Sequence, residues 1–518
     1  MLSGRVIDPT SVATIWQLFA RRAALTPKHT MLRDEDDRLV TFGDAHDWCE
    51  RLAAGLHARG IGPATVVSWQ LPTRVETVIV SLALARLGAV QNPIIPAYRE
   101  REVTALLRQV DAEWFLHPGT WRGFDYVALA ATAEERLARP LKVLTVPDEL
   151  PDGDRSTLPP EPEQGEEIRW LYATSGTMSE PKAVRHSDQT LLSGGLGLAG
   201  AYDPAPDDIG SVPYPIAHIG GPLYLLMMLL RGRPITLLGT FVPNEAIALM
   251  RRHGVTMSGG STAFYLAFIE QQRAWTGGGT VVPGLRMLSG GGAPKPPELF
   301  WQVRDELGVR VLHGYGMTEC PMIASGSRTD TDEQLANTDG APVIGCEIQI
   351  VGAGGEVLDR GVVGEICVRG PMVCKGYVDA NATAAAFDGD GFFHTGDLGY
   401  VRADGHVVLT GRAKEMIIRK GENLSPREIE DVLQEHPRVG AVAVIGLPDS
   451  QSGERVCAVV EMRPGAMPLG FAEMQEHCRA AGLMTQKIPE RLEIVDALPR
   501  NATLKILKNE LRTRFARR

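Results

Sequence analysis

Glu167-Ile168-Arg169-Trp170-Leu171-Tyr172-Ala173-Thr174-Ser175-Gly176 is the stretch from which the fold is read. Ile168, Trp170 and Tyr172 fall at every second position, the period of a strand, and Ser175-Gly176 breaks it, so a loop must follow. The same form recurs at Leu285-Arg286-Met287-Leu288 before Gly290-Gly291-Gly292, and at Val309-Arg310-Val311-Leu312 before Gly314-Tyr315-Gly316. Such runs alternate with helical periodicity through most of the chain, which predicts an α/β fold with largely parallel sheets. Ligands of open α/β sheets collect at the carboxyl ends of strands, so these loops are expected to line one cleft.

Further along, Gly405 to Arg412 reads as a strand leaving a turn, with charged Lys414 and Glu415 after it. A domain boundary is expected there, giving units 1–411 and 412–518. Ser425-Pro426-Arg427-Glu428 then supplies an N-cap, a proline at the first helical position and a capping-box glutamate, and Ile429, Val432 and Leu433 form an apolar stripe. A helix is predicted from that point, and Val439 to Leu447 as a buried strand.

The 518 residues exceed what one core organises, so two or three domains are expected. The net charge of −10 argues against nucleic acid as a partner. Seven cysteines without a C-x-x-C pair suit free thiols, and no leader pattern opens the chain, so a cytoplasmic location is expected. The most apolar run, Pro222 to Leu230, is far shorter than the roughly 20 residues of a membrane span.

Thr174-Ser175-Gly176-Thr177-Met178-Ser179-Glu180-Pro181-Lys182 gathers hydroxyls, a glycine and a lysine in one loop after a strand. Such a loop surrounds phosphates with N–H and O–H donors while the lysine offsets charge. It is not a Walker A loop, because Pro181 stands where that motif has its second glycine and Ala183 follows the lysine. The loop resembles the signature of the adenylate-forming superfamily, which includes acyl- and aryl-CoA synthetases, luciferases and peptide-synthetase adenylation domains. Met178-Ser179 replace the usual Thr-Gly and Ala183 the last glycine.

Other motifs of that superfamily follow in order. Ser289-Gly290-Gly291-Gly292-Ala293-Pro294 resembles the adenine-binding turn. In His313-Gly314-Tyr315-Gly316-Met317-Thr318-Glu319 the resemblance implies that Tyr315 stacks on adenine, Thr318 contacts phosphate and Glu319 helps hold Mg2+. Asp397, within Phe393-His394-Thr395-Gly396-Asp397, resembles the aspartate that accepts the ribose hydroxyls. Arg412 is expected at the ribose and Lys414 as the hinge. Pro499 to Lys508 is similar to the terminal P-x-x-x-x-G-K-[IV] block, with Lys505 as the catalytic lysine and Leu504 standing where glycine is usual. Glycine often marks φ > 0 or a close approach, so that departure bears on the local backbone.

The resemblance implies a large N-terminal domain of mixed and parallel sheets with flanking helices, plus a small mobile α+β C-terminal domain. It also implies an ATP- and Mg2+-dependent acid–thiol ligase, which makes acyl-AMP and then acyl-coenzyme A. Rotation about Lys414 would withdraw Lys505 and present Lys420, Gly421 and Glu422 to coenzyme A. The acyl pocket is expected at His218, Gly220, Gly221 and Tyr224, with Gly259, Gly260 and Ala263 leaving room for a bulky apolar acid. Peptide-synthetase relatives place an aspartate after a phenylalanine here; its absence disfavours an amino acid. Medium-chain, alicyclic, steroid-derived and aryl acids all fit. A carrier-protein phosphopantetheine in place of free coenzyme A, a noncatalytic nucleotide-binding homologue and a homodimer stay open.

Overall fold

The computed structural model describes residues 7–8, 11–174, 181–419, 422–449, 452–501 and 504–516. Two sheets of the expected kind carry the larger part of the chain. In the first, strands Gly210–Val212, Ile235–Leu237, Met257–Gly260, Met287–Gly290 and Arg310–Tyr315 pair in parallel. Strands buried on both faces need near-continuous apolar or small residues, and Met257–Gly260 is buried at all four positions. The second has Val66–Trp69, Val90–Pro93, Trp114–His117 and Lys142–Thr145 in parallel with Ile168–Thr174, closed by the antiparallel strand Lys182–Ser187.

Of the three strand ends expected to line one cleft, two are therefore neighbours in one sheet and the third belongs to another. Gly290 stands opposite His313 in register, whereas Thr174 ends a strand of the second sheet. Helices cover the faces, and Pro243–His253 and Pro297–Leu307 each begin on a proline, whose missing N–H is unneeded in a first turn. The apolar run at Pro222 lies in the buried helix Gly220–Arg231, and among the described residues no helix is long and apolar enough to cross a membrane.

A third sheet is wholly antiparallel: Glu347–Val351, Gly364–Arg369, Phe393–Val401 and Val407–Arg412. The last buried residue of the large core is Val407, and the first of the next is Ile417. A mixed sheet of Ile417–Arg419, Glu422–Leu424, Val439–Asp449, Gly453–Met462 and Arg491–Val495 then organises the C-terminal segment.

The helix predicted from Ser425 is present as Pro426–Gln434, with Ile429 and Leu433 buried. Its capping box is not. The Ser425 hydroxyl donates to the Thr410 carbonyl outside the helix, and Glu428 pairs with Lys487 at 2.6 Å. All seven cysteines are free thiols.

Candidate active site

The Gly290–Pro294 turn leaves its strand beside His313. Burial pushes the His313 imidazole down to about 4, with Lys295 adding to the shift, so the ring is neutral. Its Nε2 donates to the Ala293 carbonyl at 3.0 Å and its Nδ1 faces the Tyr265 hydroxyl at 3.4 Å. His313 thereby fixes the turn. Gly291 is required for contact: a Cβ there would stand 2.3 Å from the Gly314 carbonyl oxygen.

Asp397 and Arg412 are register partners on adjacent strands. Arg412 Nε lies 2.8 Å from Asp397 Oδ1, and the Tyr315 hydroxyl donates to Oδ2 at 2.8 Å. Both oxygens of this buried carboxylate thus have protein donors. The turn before it is held by Glu365, whose Oε1 accepts from the Gly396 N–H at 3.0 Å.

Glu319 is 7% exposed, and burial raises its pKa against the opposing hydrogen bond from Tyr377. The Tyr377 hydroxyl donates to Oε1 at 2.7 Å. Lys182 Nζ sits 5.2 Å from the centroid of the same Tyr377 ring, so a lysine, a tyrosine and a carboxylate stand in series. Lys182 pairs in register with Thr174 across the antiparallel pair, which brings together the two ends of the hydroxyl-rich loop. Ser175, Gly176 and Thr177 lie outside the described residues. Met317 and Cys320 exchange backbone hydrogen bonds at 3.0 and 3.2 Å, and the Thr318 carbonyl accepts from His186 Nε2 at 2.8 Å.

Lys505 arrives from the C-terminal segment. A tight turn presents it: Leu504 N–H donates to the Asn501 carbonyl and Lys505 N–H to Asn501 Oδ1, each at 2.9 Å. Leu504 takes φ +62, so the residue in the glycine's place adopts a left-handed conformation that favours glycine. Burial pushes Lys505 down to about 8, with Arg412 adding to the shift and Glu415 and Asp397 opposing it. Lys508 Nζ, 2.7 Å from Glu430 and 3.4 Å from Glu415, braces the same turn.

Ala293, His313, Tyr315, Asp397, Arg412 and Lys505 all line one interdomain cleft of about 1150 Å³. Residues more than 200 positions apart in the chain thus share a wall. Lys414 is exposed in the short 3-10 turn Ala413–Glu415 where the two parts meet. Lys420 and Gly421 lie outside the described residues, and of Glu422 only the backbone is described, as the first residue of Glu422–Leu424.

His218, Gly220, Gly221 and Tyr224 are not among the residues lining that cleft. Burial pushes His218 down to about 4, and the Lys505 ammonium is near enough to add to the shift. Its Nδ1 accepts from the Gly220 N–H at 3.2 Å, which leaves the proton on Nε2. The small residues do not make the expected room at every position. A Cβ on Gly221 would meet the Ile216 carbonyl oxygen at 2.3 Å, and one on Gly259 the Ser289 oxygen at 1.6 Å, so there smallness lets backbones touch. Tyr224 is 4% exposed, and its hydroxyl donates to the Met257 carbonyl at 3.3 Å.

Tyr377 and His186 were not expected from the sequence, and the roles of Glu415 and Lys508 were not either, although Glu415 follows the hinge lysine and Lys508 ends the terminal motif. Each acts through a partner distant in the chain.

Comparison with known proteins bears on the whole chain. Residues 19–378 match the AMP-binding enzyme family and residues 428–505 the AMP-binding enzyme C-terminal domain. A feruloyl-CoA synthase of an Amycolatopsis species is 32% identical over 96% of this chain and 98% of its own. The medium-chain fatty-acid–CoA ligase of Escherichia coli K12 is 29% identical over 98% of this chain and 91% of its own. Among solved structures, ATP-bound MatB of Rhodopseudomonas palustris superposes with a TM-score of 0.87 at 27% identity, covering 97% of this chain and 99% of MatB.

Proposed function

Because the chain belongs to the AMP-binding enzyme family and is an acid–thiol ligase using ATP, Mg2+ and coenzyme A, we propose that its acid is a monocarboxylate with an apolar body. Medium-chain aliphatic, alicyclic, steroid-derived and aryl acids are the class. The observation that carries the site reading is the shared cleft, in which Lys505 stands with Asp397, Arg412 and Tyr315. The scarcity of charge in two segments supports the acid class. Pro213 to Tyr224 and Met257 to Ile269 contain no Asp, Glu, Lys or Arg, and Arg273, which follows them on the cleft wall beside Glu270, is already paired with Glu306.

In the first half-reaction a carboxylate oxygen attacks the α-phosphorus of ATP, the P–O bond to pyrophosphate breaks, and acyl-AMP forms. Two anions meet, so the main requirement is positive charge aimed at the new bond. Lys505 supplies it, reaching the carboxylate and the α-phosphate from the C-terminal side. Lys182 and the loop from Thr174 to Thr177 receive the departing phosphates, and Thr318 donates its hydroxyl to them. The turn Gly291, Gly292, Ala293 takes the adenine against Tyr315, within the block His313, Gly314, Gly316 and Met317. Asp397 and Arg412 hold the ribose. The neutral His218, with its proton on Nε2, donates to the acyl carboxylate.

Glu319 fits Mg2+: it is a buried hard oxygen donor, and one carboxylate plus phosphate oxygens is a usual magnesium set. The bound ion neutralises phosphate charge. In the second half-reaction the coenzyme A thiolate attacks the acyl carbonyl, AMP leaves, and the thiol proton goes to solvent. Rotation about Lys414 clears Lys505 and brings Lys420, Gly421 and Glu422 to the thiol.

AMP release and loss of free coenzyme A thiol, measured with octanoate, ferulate, cholate and malonate, test this reading. Turnover of one or more of the first three, with little for malonate, is expected. Malonate as the preferred acid would overturn the apolar class, and adenylate accumulating without thioester would replace coenzyme A by a carrier-bound thiol.

A further inference from the structure

Four charged side chains meet at the seam between the two parts of the chain, and three of them, Asp339, Arg427 and Asp431, also reach the wall of the cleft. Lys295 and Asp339 come from the N-terminal side, 3% and 2% exposed. Lys295 Nζ donates to the Ala336 carbonyl at 2.6 Å, and Asp339 Oδ2 accepts from the Leu409 N–H at 2.9 Å. The helix Pro426–Gln434 brings Arg427 and Asp431, one turn apart, from the other side. Arg427 Nη1 lies 3.7 Å from Asp339 Oδ2, and its Nε lies 3.9 Å from Asp431 Oδ2. All four line a pocket of about 290 Å³, and Ser425, at the helix start, spends its hydroxyl on Thr410 across the same seam.

Two features set this cluster apart from a fixed ion pair. Each side is a cation with an anion, Lys295 with Asp339 and Arg427 with Asp431. Separating the sides therefore strands no net charge, whereas breaking a single buried pair would. The same helix also leads directly to the motif lysine: Glu430 accepts from Lys508 Nζ at 2.7 Å, three residues past Lys505. Burial moves Lys295 down to about 8 and Asp431 up to about 6, so both stay charged at neutral pH.

We propose that Arg427 and Asp339 are a positioning pair for adenylation: they dock the C-terminal domain so that Lys505 stays in the cleft, and they part for the thiol half-reaction. This rests on the reading of Lys505 given above. Arg427 touches no reacting atom in it.

Arg427→Ala and Asp339→Asn test the pair, since Asn keeps an acceptor for the Leu409 N–H. With the acid that gives the most AMP, each variant should lower acid-dependent pyrophosphate exchange by about tenfold. Coenzyme A-dependent thioester formation from the presynthesised acyl-adenylate should stay at the wild-type rate or rise. The double variant should lose no more than either single, and Arg427→Lys should recover most of the exchange. A second arm needs no acid: amide hydrogen exchange at 336–340 and 407–410 should quicken in both single variants. Equal loss in both half-reactions, additive losses in the double variant, or unchanged amide exchange would each overturn the proposal. Wild-type protein that forms no acyl-AMP would instead remove the function reading, and the amide-exchange arm would still decide the docking pair.

Discussion

Two turns face each other across the cleft and meet the same backbone demand with opposite residues. On the N-terminal side Gly292 takes φ +81, and its neighbour Gly291 lies against the Gly314 carbonyl where no Cβ fits. On the C-terminal side Leu504 takes φ +62, although an L-residue in that region costs about 1–2 kcal/mol. The first turn needs glycine for contact as well as conformation. The second needs only the conformation, and its surroundings impose it: the Asn501 carbonyl accepts the Leu504 N–H, Arg500 Nη1 donates to the Leu504 carbonyl at 3.1 Å, and Leu507 N–H bonds Pro499. A leucine is tolerated where the turn is held from both sides.

The largest expected effect concerns what the second turn delivers. Lys505→Ala removes one preorganised charge contact, roughly 2.7–4 kcal/mol, so acid-dependent pyrophosphate exchange should fall about 10²- to 10³-fold. Thermal unfolding should stay close to wild type, because a lysine depressed to about 8 is under desolvation stress in the folded protein. Exchange that survives unchanged would detach Lys505 from the chemistry and leave the second turn a structural feature.

Next comes the first turn. Gly291→Ala sets a methyl 2.3 Å from a backbone oxygen that cannot yield without moving a strand. Overpacking of this kind costs about 1–3 kcal/mol. A lower urea midpoint together with a raised KM for ATP is the expected outcome, and an unshifted midpoint would show that the turn relaxes freely.

Leu504→Gly should act in the opposite direction. Relief of the left-handed backbone, less the roughly 0.5–1 kcal/mol that glycine's freedom costs in folding, leaves a gain of about 0.5–1 kcal/mol. Leu504→Val, β-branched at the same φ, should lose stability relative to wild type. If the glycine variant unfolds earlier, the leucine side chain contributes packing that outweighs the strain.

The two turns also differ in how far they could be read before the fold was known. Gly290-Gly291-Gly292 after a strand reads as a loop and, by resemblance, as a turn that takes adenine; the approach seen there is that of the Gly314 carbonyl, which the sequence does not name. At Gly221 and Gly259 the same local sign was read as open space, yet contact fills it, because a glycine does not say which backbone will approach. Ser425-Pro426-Arg427-Glu428 predicted a helix start correctly and its cap wrongly: the Ser425 side chain turns to the Thr410 carbonyl, away from the helix N–H groups, and Glu428 turns to Lys487. The contacts of Tyr377 with Glu319, Lys508 with Glu415 and Arg427 with Asp339 join residues from 58 to 93 positions apart. No periodicity of 2 or 3.6 residues carries such pairs.

The smallest effect is a shift along the pH axis, and it probes how each turn is electrostatically held. His313 beneath the first turn and His218 near Lys505 are both pushed by burial to about 4, so they stay neutral from pH 5 upward and contribute no limb there. Lys505 must be cationic to serve as the charge contact. Burial and then Arg412 depress it to about 8, so kcat/KM for ATP in the exchange reaction, which reports the free enzyme, should decline as pH rises through about 8. Glu415 pulls the other way, favouring the charged lysine, and Lys508 holds that carboxylate in place at 3.4 Å. Glu415→Gln deletes the restoring charge and should move the limb toward lower pH by roughly one unit. A limb that stays above pH 10 in the wild type would place Lys505 in water, and a limb that Glu415→Gln leaves in position would assign the restoring charge to Asp397 alone.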